Sequence, residues 1–402
     1  MDLAEAKARV VAAVDERSEL LLDVSHQIHA HPELGYEEVF AHELLTKVIA
    51  DEGLPVEAHA FGLDTAFAAR AGSSGPTITV CCEYDALPGI GHACGHNIIA
   101  AAGLGAGLAA ATIADAAGGR VVILGTPAEE GGGGKVRLID AGAFEGVDAA
   151  LMVHPAGGDL TSMNVIAVHR VLVTYHGEAA HAAAFPHKGR NALDAAVLGY
   201  VNAAALRQHI RPEERIHGIF TEAGDKPNIV PARAAAEWYV RAGDVRRLEA
   251  LRPRLIACLQ AGADAAGCTV DFEWQDPIYA DMRDNVPMVE LYAANAGALG
   301  RRLLEPADSF SVVGSTDMGN VSYEVPSIHP MIAVSPPHIS IHTPEFAGYA
   351  AGPEGDAAVL DGAKAMAMTM ADLWLAPGSL EQVTAAFREG QRGREPSAAG
   401  PG

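Results

Sequence analysis

Three apolar runs of strand length carry polar residues at or just past their ends. TITVCC (77–82) is followed by Glu83 and Asp85, RVVILG (120–125) leads to Glu129 and Glu130, and VDAALMV (147–153) precedes His154. Near-continuous apolar runs separated by helical patterns are typical of parallel strands covered on both faces. The pattern predicts an α/β domain with a mainly parallel sheet, whose strand ends carry the chemistry.

Helical spacing of apolar residues fills the stretches between and around these strands. It predicts one amphipathic helix over 3–28, a second over 37–51, and later helices near 286–301 and 356–375. The run IIAAAGLGAGLAAATIA (98–114) is uniformly apolar but short for a bilayer, which favours a buried helix. Asn97 precedes this run, and its side chain is predicted to cap the helix.

The pattern changes near Met163, where NVIAVHRVLVTYHG (164–177) alternates apolar and polar residues. Alternation is typical of an antiparallel sheet with one open face, and the elements that follow have the order β-α-β-β-α-β of a ferredoxin-like unit. We therefore expect an α/β domain in two parts with an inserted α+β domain and a disordered tail rich in Gly, Pro and charge. The expected divisions are 1–163, 164–276, 277–385 and 386–402.

Composition narrows the possible partners. The formal charge of −23 and a pI near 5 argue against nucleic acid or an anionic membrane as a partner, because both require a basic surface. Five cysteines are an odd number, and the N-terminus lacks the basic and then apolar plan of a signal peptide. These features predict a reduced, cytoplasmic protein.

The polar residues near the strand ends have the composition of a metal site. Cys94 and His96 follow the first strand in GIGHACGHN, and further candidates come later in the chain: the adjacent Glu129 and Glu130, then His154 and His342. A mixture of thiolate, imidazole and carboxylate suits Zn²⁺ and similar divalent ions better than Ca²⁺ or Mg²⁺. Cys-x-His alone would be weak support, so the prediction depends on the downstream residues.

Six motifs, in order along residues 20–385, resemble a known enzyme family. They are EYDALPGIGHACGHN, TPAEEGGGG, GEAAHAAAFPHKGRNALDA, PNIVPARA, GSTDMGNVS and HTPEF. The chain is similar to the amidohydrolase branch of the aminoacylase, carboxypeptidase and dipeptidase family of two-metal peptidases. CGHN and STDMGNVS resemble the group of β-alanyl-lysine dipeptidase and aminobenzoyl-glutamate hydrolase within that branch.

The resemblance implies two divalent metal ions per subunit, Zn²⁺ or Mn²⁺ with Co²⁺ as a further candidate. The implied ligands are Cys94, His96, Glu130, His154 and His342. Glu129 would be the general base, and Asp85 matches an acidic position that supports a metal ligand; a strand-end carboxylate that caps a loop is the alternative for Asp85. Glu83 stands where other branches carry a histidine ligand, and we expect it outside the metal shell.

The resemblance also implies a homodimer formed through the inserted domain, with His181, Asn228 and Arg241 as substrate contacts. His181 would reach the partner subunit's active site and stabilise an oxyanion, while Asn228 and Arg241 would bind the substrate carboxylate. A solvated arginine at a strand end is the alternative for Arg241.

The function expected from these residues is metal-dependent hydrolysis of an amide bond in a dipeptide or an N-acyl amino acid with a free carboxylate. A metal-bound hydroxide would attack the carbonyl, and Glu129 would pass the proton to the leaving amine. One alternative is a cysteine amidase with Cys94 as nucleophile and His96 as base, although such pairs are normally distant in sequence. The other is a binding protein on the same fold, for which Glu129 would have no use.

Overall fold

The structure is a computed structural model, and it describes residues 1–304 and 313–392. Its helices are α1 (Leu3–Asp15), α2 (Ser18–Ala30), α3 (Val39–Asp51), α4 (His96–Ala111), α5 (Ala114–Ala117), α6 (Gly134–Asp140), α7 (Ala192–Leu206), α8 (Val245–Ala265), α9 (Val286–Ala298), α10 (Met318–Glu324), α11 (Pro344–Ala350), α12 (Pro353–Leu375) and α13 (Ser379–Arg392). Its strands are β1 (Val56–Ala58), β2 (Phe67–Ala71), β3 (Thr77–Cys82), β4 (Arg120–Gly125), β5 (Ala149–Leu151), β6 (His154–Ala156), β7 (Asn164–Val165), β8 (Ala167–His176), β9 (Arg215–Glu222), β10 (Arg233–Ala242), β11 (Thr269–Tyr279), β12 (Val313–Gly314), β13 (Ser327–Ile328) and β14 (Met331–Ala333).

Contacts divide the chain into two compact units. Unit 1 contains the described residues of Met1–Asn164, Met282–Val313 and Asp317–Gly402, and unit 2 contains Val165–Asp281 and Gly314–Thr316. The expected domain changes, after residues 163 and 276, lie one and five residues from these divisions. The expected tail begins at 386, but α13 continues to Arg392, so residues 386–392 are helical; the remaining tail residues lie outside the described part.

Unit 1 is built on a six-stranded sheet in the order β1-β2-β4-β3-β5-β13. The pairs β3–β4, β3–β5 and β5–β13 are parallel, and β1–β2 and β2–β4 are antiparallel. The prediction of a mainly parallel sheet with helices is therefore confirmed. Because β3, β4 and β5 run in the same direction, the segments that follow them leave the sheet at one edge.

Helix α4 packs tightly against this sheet and fixes the residues at its N-terminus. An added Cβ would lie 2.7 Å from the Cys82 Sγ at Gly103 and 2.3 Å from the Ile123 Cγ1 at Gly107, so only glycine permits this approach. The helix begins at His96 after Gly95, which has a φ of +80°. The predicted cap by Asn97 is wrong: the Asn97 amide lies inside the helix and donates to the Ser25 Oγ and the Ala350 carbonyl.

Unit 2 contains a four-stranded antiparallel sheet in the order β11-β8-β10-β9, with α7 and α8 packed against it. Its elements follow one another as β8, α7, β9, β10, α8 and β11, which is the predicted ferredoxin-like order. Burial alternates along β10, where Ala234, Ala236, Trp238, Val240 and Ala242 are buried. In the residues that the structure describes, no helix is both long enough and apolar enough to span a bilayer.

Candidate metal centre

Seven side chains of unit 1 converge beyond the sheet edge where β3, β4 and β5 end. We call them the donor cluster, and they fall into three overlapping groups whose ligand atoms lie within 4.8 Å of one another: Cys94, His96 and His154; Cys94, Glu130 and His342; Glu83, His96 and Glu129. The five predicted ligands and Glu129 are thus brought together, and Glu83 joins them. His342 has a φ of +64° and is the most exposed member of the cluster.

Two histidines present their Nε2 atoms to the cluster. The Nδ1 of His96 donates to the Asp85 Oδ1 at 3.0 Å, and the Nδ1 of His154 donates to the Pro155 carbonyl at 2.7 Å. Each Nε2 is therefore the nitrogen without a proton when the ring is neutral. Although burial opposes the charged form, the Asp85 carboxylate raises the pKa of His96 well above its ordinary value, so a positive charge is favoured at this ring. The His154 Nε2 lies 3.4 Å from the Cys94 Sγ, and burial lowers the pKa of His154 to about 4.

Asp85 connects two of the segments that carry the cluster, those of His96 and Glu130. One of its oxygens accepts a hydrogen bond from the His96 Nδ1, and the other accepts a hydrogen bond from the backbone N–H of Glu130 at 2.9 Å. The Asp85 side chain is buried, and although burial alone would raise its pKa, the neighbouring His96 holds that pKa below its ordinary value. A carboxylate in this position orients the imidazole, as an outer partner of a metal-binding histidine does.

The two adjacent glutamates have different surroundings. Burial and then the neighbouring carboxylates of Glu83 and Glu130 raise the pKa of Glu129 well above its ordinary value. Burial also acts on Glu130, but the nearby imidazoles of His342 and His96 hold its pKa below the ordinary value. The Glu130 Oε1 lies 3.4 Å from the Nε2 of His342. Glu129 is therefore suited to hold a proton and Glu130 to remain an anion.

The residues present fit two divalent cations. Within the described chain the buried Oε2 of Glu83 and Nε2 of His96 have no hydrogen-bond partner. The cluster contains the carboxyl groups of three glutamates and the Cys94 thiol. Lys135, which contacts Glu83, supplies a single positive charge beside these acidic groups. Buried atoms of this kind require either partners or a cation. The thiol, imidazole and carboxylate donors match those of zinc and related ions.

Three buried residues beside the cluster had no predicted role. Lys135 Nζ donates to the Glu83 Oε1 and the Asp317 Oδ1, both at 2.6 Å. Glu38 accepts from the Ala128 N–H at 2.8 Å, immediately before the two glutamates. The motifs EEGGGGK and STDMGN contain Lys135 and Asp317, but their pairing spans 182 positions, and no local pattern indicates it.

The three predicted substrate contacts lie in unit 2. The His181 Nδ1 accepts from the backbone N–H groups of Ala183 and Ala184, at 3.3 and 3.1 Å. The Ala182 N–H donates to the Asn228 carbonyl, so His181 and Asn228 lie on adjoining loops. Arg241 is on β10 and donates to the Ser315 Oγ at 3.0 Å and to the His217 Nε2 at 3.3 Å.

Comparison with known proteins decides the family. Residues 80–371 match peptidase family M20/M25/M40. The chain belongs to this family. The predicted resemblance is thereby confirmed, and the chain is an amide-bond hydrolase.

Individual relatives show how far the likeness extends. This M20 peptidase is 42% identical to a mouse protein named Xaa-Arg dipeptidase over 95% of this chain and 92% of the relative. It is 32% identical to a p-aminobenzoyl-glutamate hydrolase polypeptide of Escherichia coli K12, over 64% of this chain and 58% of that protein. A solved Bacillus subtilis structure, described as a dinuclear metal binding peptidase from the M20 family, has a TM-score of 0.71 at 19% identity and covers 90% of this chain and 99% of its own.

Proposed function

We propose that this M20 peptidase is a metal-dependent dipeptidase that hydrolyses dipeptides with a free C-terminal carboxylate, with N-acyl amino acids as a related substrate class. The observation that carries the proposal is the convergence of the seven side chains of the donor cluster, Glu129 among them, at one sheet edge. The mouse relative at 42% identity is named for Xaa-Arg substrates. A basic C-terminal residue is therefore the first substrate feature to test.

Cys94, His96, Glu130, His154 and His342 would hold two divalent ions, of which Zn²⁺ suits the thiol and imidazole donors and Mn²⁺ and Co²⁺ are the other candidates. When bound, the ions would polarise the scissile carbonyl and acidify a water molecule. The chain's own part is proton transfer. Glu129, with its raised pKa, would accept a proton from water and deliver it to the leaving amine.

The alternative cysteine amidase is less well supported. A nucleophilic cysteine needs a lowered thiol pKa, whereas burial and then the Glu130 carboxylate raise the pKa of Cys94 well above its ordinary value. Two of its neighbours, Glu130 and His342, would also have no role in that mechanism. All five cysteine thiols are free in the structure, which agrees with the expected cytoplasmic location.

His181, Asn228 and Arg241 would bind the substrate from two subunits. Arg241 lies at the end of β10 opposite Arg233, and the loop that carries Asn228 enters the strand at Arg233. Eight residues of strand span about 27 Å, farther than a dipeptide reaches. If all three residues contact one substrate, Arg241 comes from one subunit and His181 with Asn228 from the other.

The surface of unit 2 supports a homodimer. Strand β9 is an edge of the four-stranded sheet, and Ile219 on it is 65% exposed. Exposed Val197 and Val201 lie on α7 of the same unit. An exposed edge strand with apolar side chains is a template for pairing with a second copy.

The orientation of His181 agrees with a role at an oxyanion. Because its Nδ1 accepts two backbone hydrogen bonds, the proton of the neutral ring is on Nε2. That N–H is then available to a developing negative charge on the substrate.

A Glu129→Gln variant tests the mechanism. We expect normal metal content, measured by plasma mass spectrometry, and a kcat on Ala-Arg at least about 1000-fold below wild type, because the proton carrier is lost. Near-wild-type turnover would refute the proposed mechanism. Assaying wild type on Ala-Arg, Ala-Glu and aminobenzoyl-glutamate with each metal would identify the substrate class, and activity that survives complete metal removal would favour the cysteine alternative.

A further inference from the structure

A buried ion group lies directly beside the donor cluster. Lys135 Nζ donates to the Glu83 Oε1 and the Asp317 Oδ1, and the Lys135 backbone N–H donates to the Asp317 Oδ2 at 2.9 Å. All three side chains have no exposed surface. Although burial opposes the charge, the carboxylates of Asp317 and Glu83 raise the pKa of Lys135 well above its ordinary value. The group therefore contains a charged lysine between two carboxylates.

Glu83 is more than the counterion of this lysine. Asp317 alone would neutralise the ammonium group, and both of its oxygens are hydrogen-bonded. Glu83 uses only its Oε1, and its Oε2 has no hydrogen-bond partner among the described residues. An ionised oxygen without a partner in a fully buried position is strongly unfavourable unless a cation binds it.

The Oε2 of Glu83 faces a second unpartnered atom, the Nε2 of His96. Their separation of 3.6 Å is too long for a hydrogen bond. Since the His96 Nδ1 donates to Asp85, the Nε2 is the ring nitrogen that faces Glu83, and it can bind a cation in place of a proton. A cation between the Glu83 Oε2 and the His96 Nε2 would bind both atoms.

The distance also fits a shared ion. Oxygen and nitrogen ligands at about 2.1 Å from one tetrahedral zinc ion lie about 3.4 Å apart. The Oε2 of Glu129 is 3.9 Å from the same His96 nitrogen, so the three residues surround one position.

We propose that Glu83 is a metal ligand that shares an ion with His96, and that Lys135 and Asp317 are positioning residues that hold it there. This inference rests on the proposed metal-dependent function and adds an oxygen ligand to the five expected ones. Lys135 fixes one carboxylate oxygen of Glu83 so that the other points to the ion. Asp317 in turn fixes Lys135, because it accepts hydrogen bonds from both the side chain and the backbone N–H of Lys135.

Metal binding by the apo-protein tests the assignment independently of activity. The protein is stripped with a chelator and titrated with Co²⁺, with affinities from calorimetry and coordination from the visible absorption of the ion. The variants are Glu83→Gln and Asp317→Asn. The control is Asp372→Asn, because Asp372 is also a buried carboxylate paired with a lysine, Lys7, at 2.7 Å. Circular dichroism of each apo-protein verifies folding.

Wild type is expected to bind two equivalents of Co²⁺. Glu83→Gln should weaken one equivalent about 100-fold or more and change its absorption spectrum, and Asp317→Asn should weaken the same equivalent about 10- to 100-fold. Asp372→Asn should bind both as wild type does. If Glu83→Gln does not fold, Glu83→Asp takes its place. The aspartate side chain is one methylene shorter, so the same weakening of one Co²⁺ equivalent is expected.

Binding of both equivalents by the Glu83 variant within twofold of wild type would overturn the assignment and leave the proposed function intact. A wild-type protein that binds no Co²⁺ would instead refute the metal-dependent function itself.

Discussion

The buried carboxylate of Glu38 accepts a hydrogen bond from the backbone N–H of Ala128, with 2.8 Å between Oε1 and N. Ala128 has a φ of +59°, a left-handed conformation that is unfavourable for alanine, and it immediately precedes Glu129. The other oxygen of Glu38 accepts from the Thr65 hydroxyl at 2.8 Å. Glu38 therefore stabilises the left-handed backbone of Ala128, from which the segment with Glu129 and Glu130 continues.

Replacing Glu38 by alanine should impair catalysis more than binding. The Ala128 N–H would lose its buried partner, and the left-handed residue could relax and move Glu129 and Glu130. Misplacement of a catalytic group by about 1 Å costs on the order of 100-fold in rate. We expect kcat on Ala-Arg to fall by about that factor with a smaller change in KM, measured by steady-state kinetics.

Two further variants separate positioning from general destabilisation. Glu38→Gln keeps an oxygen acceptor for the Ala128 N–H and should recover most of the activity. Thr65→Val removes only the second hydrogen bond and should have a smaller effect than Glu38→Ala. If Glu38→Gln is as impaired as Glu38→Ala, the hydrogen bond to Ala128 is not what maintains the loop.

Arg241 offers a direct test of carboxylate recognition. Its guanidinium is fixed by Ser315 and His217, and it lies over the Tyr239 ring at 5.6 Å. Arg241→Lys keeps the charge but loses the planar fork that binds a carboxylate through two hydrogen bonds. A charge-assisted hydrogen bond contributes about 1.5 to 3 kcal/mol, so KM for Ala-Arg should rise about 10- to 100-fold.

An amidated substrate provides the control for this prediction. Ala-Arg-NH₂ lacks the carboxylate and should be an equally poor substrate for wild type and Arg241→Lys. Arg215 pairs with Arg241 across β9 and β10, and Arg215→Lys should leave both substrates unaffected. An unchanged preference for the free carboxylate in Arg241→Lys would mean that Arg241 does not bind it.

The sequence predicts elements well where a pattern is local and long. The alternation along 164–177 gives β8, and the order of elements in unit 2 follows from similar runs. The predicted single helix over 3–28 is wrong, because α1 ends at Asp15 and α2 begins at Ser18. No glycine or proline marks that break. Instead, Arg17 donates back to the Ala13 carbonyl and also to the Glu52 carboxylate. The contact with Glu52 spans 35 positions and is made only in the folded chain.

The same limit applies to the site. The convergence of five residues could be predicted, because four of them lie in recognisable motifs and the fifth, His154, follows an apolar run of strand length; the four are Cys94, His96, Glu130 and His342. Lys135, Asp317 and Glu38 could not, because their roles come from hydrogen bonds across 52 to 182 positions. Asn97 looked like a helix cap because amides favour that position, but the helix starts one residue earlier and buries it.

Unit 2 should lose stability in acid through His169. This side chain is 2% exposed and stacks on Trp274, and burial, with the nearby charge of Arg252, lowers the pKa of His169 to about 4 although Asp276 opposes the shift. Between pH 6.5 and 4 the unfolded chain binds the proton more readily than the folded one. The free energy of unfolding should therefore fall as the pH falls through this window.

Tryptophan fluorescence during urea unfolding at several pH values measures this effect. His169→Phe keeps the ring stack without a titrating group, so its stability should depend less on pH between 4 and 6.5. His176 lies on the same strand, is more exposed and pairs with Asp271, and His176→Phe serves as the control. An identical pH dependence in wild type and His169→Phe would show that another group controls acid stability.

Mixed subunits test whether His181 acts across the proposed dimer. His181→Ala and Glu129→Gln proteins should each be inactive alone. In a heterodimer, one site would combine the intact Glu129 of the first variant with the intact His181 of the second. A statistical mixture should then show about a quarter of wild-type activity, because half of the dimers are mixed and each has one complete site.

The companion mixture of Glu129→Gln with Arg241→Ala distinguishes the two subunits' contributions. The ends of β10 place Arg241 far from His181, and Arg241 is expected to serve the site of its own subunit. Every heterodimer in this mixture would carry one defect at each site, so no activity should return. Recovery of activity in this mixture but not in the mixture with His181→Ala would mean that Arg241 acts across the dimer and His181 within its own subunit. Recovery of activity in neither mixture, with heterodimers shown by native mass spectrometry, would mean that His181 acts within its own subunit.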